Sequence, residues 1–192
     1  MNGAKSILRA LDICLAFGGL LASAPILLTL VIWIKASSPG PGLFVQSRVG
    51  ENENIFLCYK LRTMKAGTPS LGSHEVGQSA VTREGRLLRR LKLDELPQLW
   101  NVLTGDMSLV GPRPCLPSQS AVIEARRAQA VFSMRPGITG LAQIRGIDMS
   151  SPVQLAELDA AWLSQATVTN YIRLIIETVG GSGRGDRVSQ TL

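Results

Sequence analysis

In the stretch Leu93-Asp94-Glu95-Leu96-Pro97-Gln98-Leu99, two adjacent carboxylates stand directly after a run of cations, Arg86, Arg89, Arg90 and Lys92. Two carboxylates beside several cations suit a divalent metal together with a phosphorylated substrate. Mg2+ in particular is usually held by one or two carboxylates plus substrate phosphate oxygens. Pro97 fits a helix only near its first turn. The sequence therefore places Asp94 and Glu95 at or close to the N-terminus of a helix running to about Leu103, where the helix dipole favours ionised carboxylates. The same residues also read as an ordinary helix start beside a solvated basic face.

Further cations sit where the backbone is extended or stiff. Lys60 and Arg62 alternate on a strand expected over residues 55–61 and share one face, which could hold a phosphate or simply be a basic surface. Arg113 lies between Pro112 and Pro114, which restrict the local backbone. A rigidly presented arginine suits bidentate phosphate recognition, with a plain structural turn as the alternative. Arg135 opens a second turn, Arg135-Pro136-Gly137-Ile138-Thr139-Gly140. The one histidine, His74, falls in a Gly-, Ser- and Thr-rich segment, residues 65–80, that reads as a mobile loop. A lone loop histidine is more often solvated than catalytic.

The elements that must position these groups begin with an apolar segment. A chain of 192 residues allows one ordinary domain and an appendage. Residues 13–34 carry no charged side chain. As a helix they would reach about 33 Å, against a hydrocarbon core of about 30 Å, so a membrane segment is expected. Ala22-Ser23-Ala24 resembles a signal cleavage site, but the apolar run continues past these small residues to Ile34. Pro25 removes the backbone bond to the Leu21 carbonyl and costs about 3 kcal/mol in a regular helix interior, so a kink or break is expected there. Lys5 and Arg9 flank one end, Lys35 and Arg48 the other, and the positive-inside rule favours both ends in the cytoplasm. A segment bent at Pro25 that enters and leaves by the same leaflet meets that rule. A kinked spanning helix is the alternative the residues leave open.

After a hinge at residues 37–42, residues 42–46 and 55–61 read as short strands around a turn at 50–54. Residues 83–103 are amphipathic in pieces. Leu87, Leu88 and Leu91 share a face flanked by Arg86, Arg89 and Arg90, which suits a helix in a headgroup layer or a basic surface helix. Residues 119–132 and 152–179 read as helical, with Trp162 and Tyr171 suited to a membrane interface or to a core. The tail from Gly180 is expected to be disordered. Cys14, Cys58 and Cys115 form no disulfide framework or zinc spacing and fit a reducing compartment. A net charge of +6 invites a nucleic-acid reading. With few aromatics, and cations set among glycine and proline turns, anionic lipid and phosphorylated metabolites are the better partners and nucleic acid is not expected.

Together these segments resemble the bacterial sugar transferase family, the small monotopic phosphoglycosyl transferases. The resemblance runs from about Ala4 to Thr178. Its motifs are Arg9-Ala10-Leu11-Asp12, Gln46-Ser47-Arg48-Val49-Gly50, Tyr59-Lys60-Leu61-Arg62-Thr63-Met64, and then residues 93–98, 105–114 and 135–143. The resemblance implies transfer of sugar-1-phosphate from a UDP-sugar to polyprenyl (undecaprenyl) phosphate, with release of UMP, as a first membrane step of exopolysaccharide, lipopolysaccharide or other glycoconjugate assembly. It implies Asp94 as the nucleophile of a covalent phosphosugar intermediate, Glu95 as the Mg2+ ligand, and Arg89 and Arg113 around the phosphates, with Arg48, Lys60, Arg62 and Arg135 as further phosphate-binding candidates. The implied fold is α/β and mainly helical with short strands. Residues 1–40 would be a re-entrant membrane helix broken at Pro25, residues 41–179 a cytoplasmic catalytic domain with interfacial amphipathic helices, and residues 180–192 a flexible tail. The implied location is the bacterial inner membrane with the catalytic domain facing the cytoplasm, where downstream glycosyltransferases are further candidate partners. Ala24 stands where the family commonly has Ser before the proline, and Asn170-Tyr171-Ile172-Arg173 departs from the usual late-helix sequence. The competing reading from another class is a catalytically silent, membrane-anchored lipid-binding or assembly module.

Overall fold

A computed structural model of the chain describes residues 2–69 and 77–181, so that His74 and the tail from residue 182 lie outside the described residues. The uncharged stretch forms the centre of one helix, α1 (Asn2–Ser37). It is the one helix among the described residues long and apolar enough to cross a membrane. A helix that is apolar all round must be covered by protein or lipid. Here a single stripe packs on protein. Asp12, Ala16, Ser23 and Ile34 are buried along it, while Ile13, Phe17, Leu21, Leu28 and Ile32 on the remaining surface are exposed.

Of the kink or break expected at Pro25, the break is corrected by the structure: the helical backbone of α1 continues through the proline. Nearby hydroxyls bond helix carbonyls on either side of the proline. Ser23 donates to the Leu20 carbonyl at 3.4 Å and Thr29 to the Pro25 carbonyl at 2.9 Å.

Both halves of α1 meet the rest of the chain. Toward its end, Ile34 packs with Leu61 and Leu88, with Leu27, Leu30 and Val31 alongside. In its first half, Ala16 packs with Phe56, Cys58, Val102 and Met107. Polar anchors lie one to two turns earlier. Arg9 donates to the Val102 carbonyl at 2.8 Å and the Leu103 carbonyl at 3.3 Å. Asp12 accepts from the Leu109 backbone N–H at 2.8 Å, from the Ser108 hydroxyl at 2.9 Å and from the Tyr171 hydroxyl.

Strands β1 (Leu43–Val49) and β2 (Ile55–Leu61) form an antiparallel hairpin. β1 runs three residues past its expected end because Ser47, Arg48 and Val49 pair with Leu57, Phe56 and Ile55. Helix α2 (Arg83–Arg90) is capped by the Thr82 hydroxyl, which accepts from Gly85 N–H at 2.9 Å. Leu87, Leu88 and Leu91 do not share a face as expected: Leu88 is fully buried, while Leu87 and Leu91 point outward. Helix α3 (Gln98–Thr104) follows, then β3 (Ser108–Val110), α4 (Ser120–Ala128), β4 (Gly137–Thr139) and α5 (Leu141–Ile144). The chain continues through α6 (Pro152–Gln165) and α7 (Val168–Val179).

Four further stretches differ from the sequence reading. The two segments read as turns each contain a strand, and β3 and β4 pair in parallel. Glycine permits this approach: a Cβ on Gly137 would lie 2.0 Å from the Gly111 nitrogen. The helix expected over 119–132 ends at α4, because Ala130 takes a left-handed φ of 52°. The long helix expected over 152–179 is two helices, with Thr167 capping the second by accepting from Asn170 N–H at 3.2 Å.

Candidate active site

The acidic pair does not open α3. Asp94 and Glu95 occupy a separate 3-10 turn, Leu93–Glu95, entered through Lys92 at a left-handed φ of 57°. That conformation costs a non-glycine residue about 1–2 kcal/mol. It folds the turn back against α2, so that Asp94 is buried. Pro97 then sits at the N-cap of α3, as its ring and missing N–H require.

Two contacts register this turn on the hairpin. Gly85 lets α2 press on the exit of β2, where a Cβ would stand 2.0 Å from the Thr63 carbonyl oxygen. Asn101 of α3 is fully buried, and its side-chain amide pairs with β2 as a neighbouring strand would. It donates to the Leu57 carbonyl at 2.7 Å and accepts from the Tyr59 N–H at 3.1 Å.

Lys60 follows directly on that strand, and its ammonium donates to Glu95 Oε1 at 3.1 Å. Arg113 donates to the same oxygen at 3.0 Å. One carboxylate oxygen is thus shared by two cations. The arrangement gathers local positive charge beside Asp94, as recognition of a diphosphate requires.

Arg113 is held by its backbone. The Pro112 carbonyl accepts from Gly137 N–H at 2.9 Å, the Arg113 carbonyl from Arg126 at 2.7 Å, the Pro114 carbonyl from Arg48 at 2.9 Å and the Cys115 carbonyl from Val49 N–H at 2.9 Å. The flanking prolines restrict the torsions, and β4, α4 and β1 hold the peptide planes. Arg126 in turn donates through Nε to Asp159 at 3.0 Å and lies 2.7 Å from it through Nη2. Burial pushes the Asp159 carboxyl up and Arg126 pulls it down, with burial the larger influence. Burial also raises the thiols of Cys58 and Cys115.

The structure thus brings Lys60, Glu95 and Arg113 together beside Asp94. Arg89 lies in the last turn of α2, which packs on the acidic turn. The other expected phosphate ligands point elsewhere. Arg48 is buried and bonds the Pro114 carbonyl and the Gln46 side chain. Arg62 caps the end of α1, donating to the carbonyls of Pro39, Ser38 and Ile34. Arg135 donates to the Gly105 carbonyl at 2.8 Å and lies 3.5 Å from Glu51.

Among the described residues, no group of three or more His, Cys, Asp or Glu forms a metal cage. The donor set at the acidic turn is one or two hard carboxylates. That fits Mg2+ held jointly with substrate phosphates, and does not fit a site built of protein ligands alone.

Asn101, Arg126 and Asp159 were not anticipated. A signal exists for the last two, since each replaces an apolar residue in a helical core register. Arg126 follows Val122 by four positions, and Asp159 lies between Leu155 and Trp162.

The family profile described as bacterial sugar transferase matches residues 3–183. A protein of Caulobacter vibrioides named UDP-glucose:undecaprenyl-phosphate glucose-1-phosphate transferase is 46% identical over 143 residues, covering 72% of this chain and 54% of that protein. An Escherichia coli protein of the same name is 36% identical over 191 residues, covering 93% of this chain and 41% of its own length. The exopolysaccharide production protein PSS of Rhizobium leguminosarum bv. phaseoli is 42% identical over 153 residues, covering 72% of this chain and 74% of its own length. The chain spans about half the length, or less, of the Caulobacter and E. coli relatives.

Proposed function

The chain belongs to the bacterial sugar transferase family, and from that premise we propose that it moves sugar-1-phosphate from a UDP-sugar to undecaprenyl phosphate, releasing UMP. The names of the Caulobacter and E. coli relatives support the substrate pair. The observation that carries the reading is the convergence of Lys60 and Arg113 on one oxygen of Glu95, beside a buried Asp94 on a rigid turn.

Asp94 is the nucleophile. A carboxylate is ionised at neutral pH without a base, so it attacks the phosphorus that bears the sugar with no proton transfer. The bond from that phosphorus to the oxygen bridging the two phosphates breaks, and that oxygen leaves with UMP. An oxygen of polyprenyl phosphate then attacks the same phosphorus and frees the Asp94 carboxylate. Lys60, Arg89 and Arg113 stabilise charge on the transferring group. Glu95 would hold Mg2+ against the diphosphate, where the ion offsets phosphate charge.

For the location, we place α1 in the cytoplasmic leaflet of the inner membrane as a re-entrant element that bends at Pro25 without a break in its helix, with the catalytic domain toward the cytoplasm. Two features support this: α1 packs on protein near both ends, and basic residues flank both ends of its apolar stretch.

The test mixes purified protein, Mg2+, a panel of UDP-sugars and undecaprenyl phosphate and measures UMP. Release that requires both the lipid and one sugar nucleotide is expected, with ping-pong kinetics. No release with any sugar in the panel would overturn the reading and leave the silent anchored module.

A further inference from the structure

We propose that Arg126, oriented by Asp159, is a positioning residue for the phosphate-binding side of the site, acting through the backbone of Arg113. The inference rests on the reading of that site as a phosphosugar transferase.

The direction of a side chain is set by the two peptide planes that flank its Cα. At Arg113 a bond holds each plane: Gly137 N–H to the Pro112 carbonyl at 2.9 Å, and Arg126 to the Arg113 carbonyl at 2.7 Å. The first is a backbone bond within the β3–β4 region that any sequence of this fold can make. The second needs a long cation brought from α4, fully buried, with its charge met by Asp159 from α6.

Ion pairs in such surroundings are poor sources of stability, because desolvation cancels most of their attraction, and an apolar pair of similar volume often serves as well or better. The feature an apolar pair cannot reproduce is the bond to the Arg113 carbonyl. Asp159 accepts from Nε and lies 2.7 Å from Nη2 as a charge partner, and Nη1 is aimed at the loop. That bond fixes the plane from which the Arg113 side chain reaches Glu95.

The experiment compares the full chain with a paired variant, Arg126→Met with Asp159→Leu, and with Asp159→Asn. Each is made with and without Arg113→Ala. Thermal melting checks the fold, calorimetry measures UDP binding, and UMP release measures turnover. The paired variant is expected to melt near the parent yet lose about tenfold in UDP affinity and turnover, the size of coupling that neighbouring groups show. In the Arg113→Ala background the same changes are expected to cost less than about twofold, because the group they position is gone. A paired variant that folds and keeps parental binding overturns the proposal, as do losses that add to that of Arg113→Ala. If the paired variant fails to fold, the Asp159→Asn cycle decides by the same criterion. A parent that binds UDP but releases no UMP removes the transfer reading and leaves this inference standing. One that turns over while the cycle is additive does the reverse. A parent that does neither overturns both.

Discussion

Two charged clusters meet at Arg113, one through its side chain and one through its carbonyl, and they keep very different amounts of water. At Glu95 the side chains of Lys60, Glu95 and Arg113 retain 17%, 15% and 21% of their exposure. At Asp159 the figures are 2% and 3% for Arg126 and its partner. The first cluster sets two cations on one carboxylate oxygen and stays open enough for an arriving anion to reach them. The second is closed, and one of its donors goes to a backbone carbonyl. Wet charge is placed to act on a ligand, whereas dry, paired charge is placed to hold the chain. Substitutions in the first should therefore show in turnover, and single substitutions in the second in stability.

The strongest test of that division is Asp94→Asn beside the wet cluster. Turnover should fall on the order of 10^6-fold, as when an enzyme loses its nucleophile, with melting near the parent. Radiolabelled UDP-sugar without lipid should label the parent and not the variant. Turnover near the parental rate would remove the covalent route and leave direct transfer between bound substrates. Next in size, Asp159→Ala should cost about 3–5 kcal/mol in denaturant unfolding, because it strands a buried guanidinium. A cost under about 1 kcal/mol would place the pair with ordinary surface ion pairs and erase the contrast. Glu95→Gln keeps its shape and loses its charge. It should lower turnover about 10^2-fold through loss of preorganised electrostatics, weaken the response to Mg2+, and leave unfolding within about 1 kcal/mol of the parent.

The smallest effect is a labelling pattern. Cys58 lies two residues before Lys60 and Cys115 two residues after Arg113, and burial keeps both thiols protonated at neutral pH. In the folded protein a maleimide should modify both slowly, and Cys14, set in the apolar stretch of α1, is covered once that stretch is in lipid. Asp159→Ala should then speed modification of Cys115 and leave Cys58 slow, whereas equal acceleration of both would mean that the two regions open as one.

The wet cluster was largely legible in the sequence, and the dry one was not. Asp94, Glu95, Lys60 and Arg113 announce themselves because adjacent carboxylates, period-two cations and a proline-flanked arginine are local patterns. Arg126 and Asp159 are 33 residues apart, and nothing in either neighbourhood names the other. Arg62 shows the same limit from the opposite side. Its spacing from Lys60 implied a shared phosphate, but the end of α1, distant in sequence, presents bare carbonyls that claim its guanidinium. The fold followed a similar rule. α1, the hairpin and the Pro112–Pro114 loop were readable from composition and turn residues, while the β3–β4 pairing depends on a glycine contact between residues 111 and 137 that only tertiary structure brings about.

The anchoring of Asp12 has a consequence for the order of events during synthesis. Helix α1 leaves the ribosome ahead of the groups that receive its carboxylate, which stand 97 residues later at Leu109 and 159 residues later at Tyr171. At about 5–20 residues per second, roughly 8–30 s of translation separate Asp12 from Tyr171. During that interval the carboxylate has Arg9, one turn away at 3.9 Å in the finished structure, as its nearest charge of opposite sign. The apolar helix thus emerges before the surface that will hold it exists, and its docking through Asp12 waits until Tyr171 has been made.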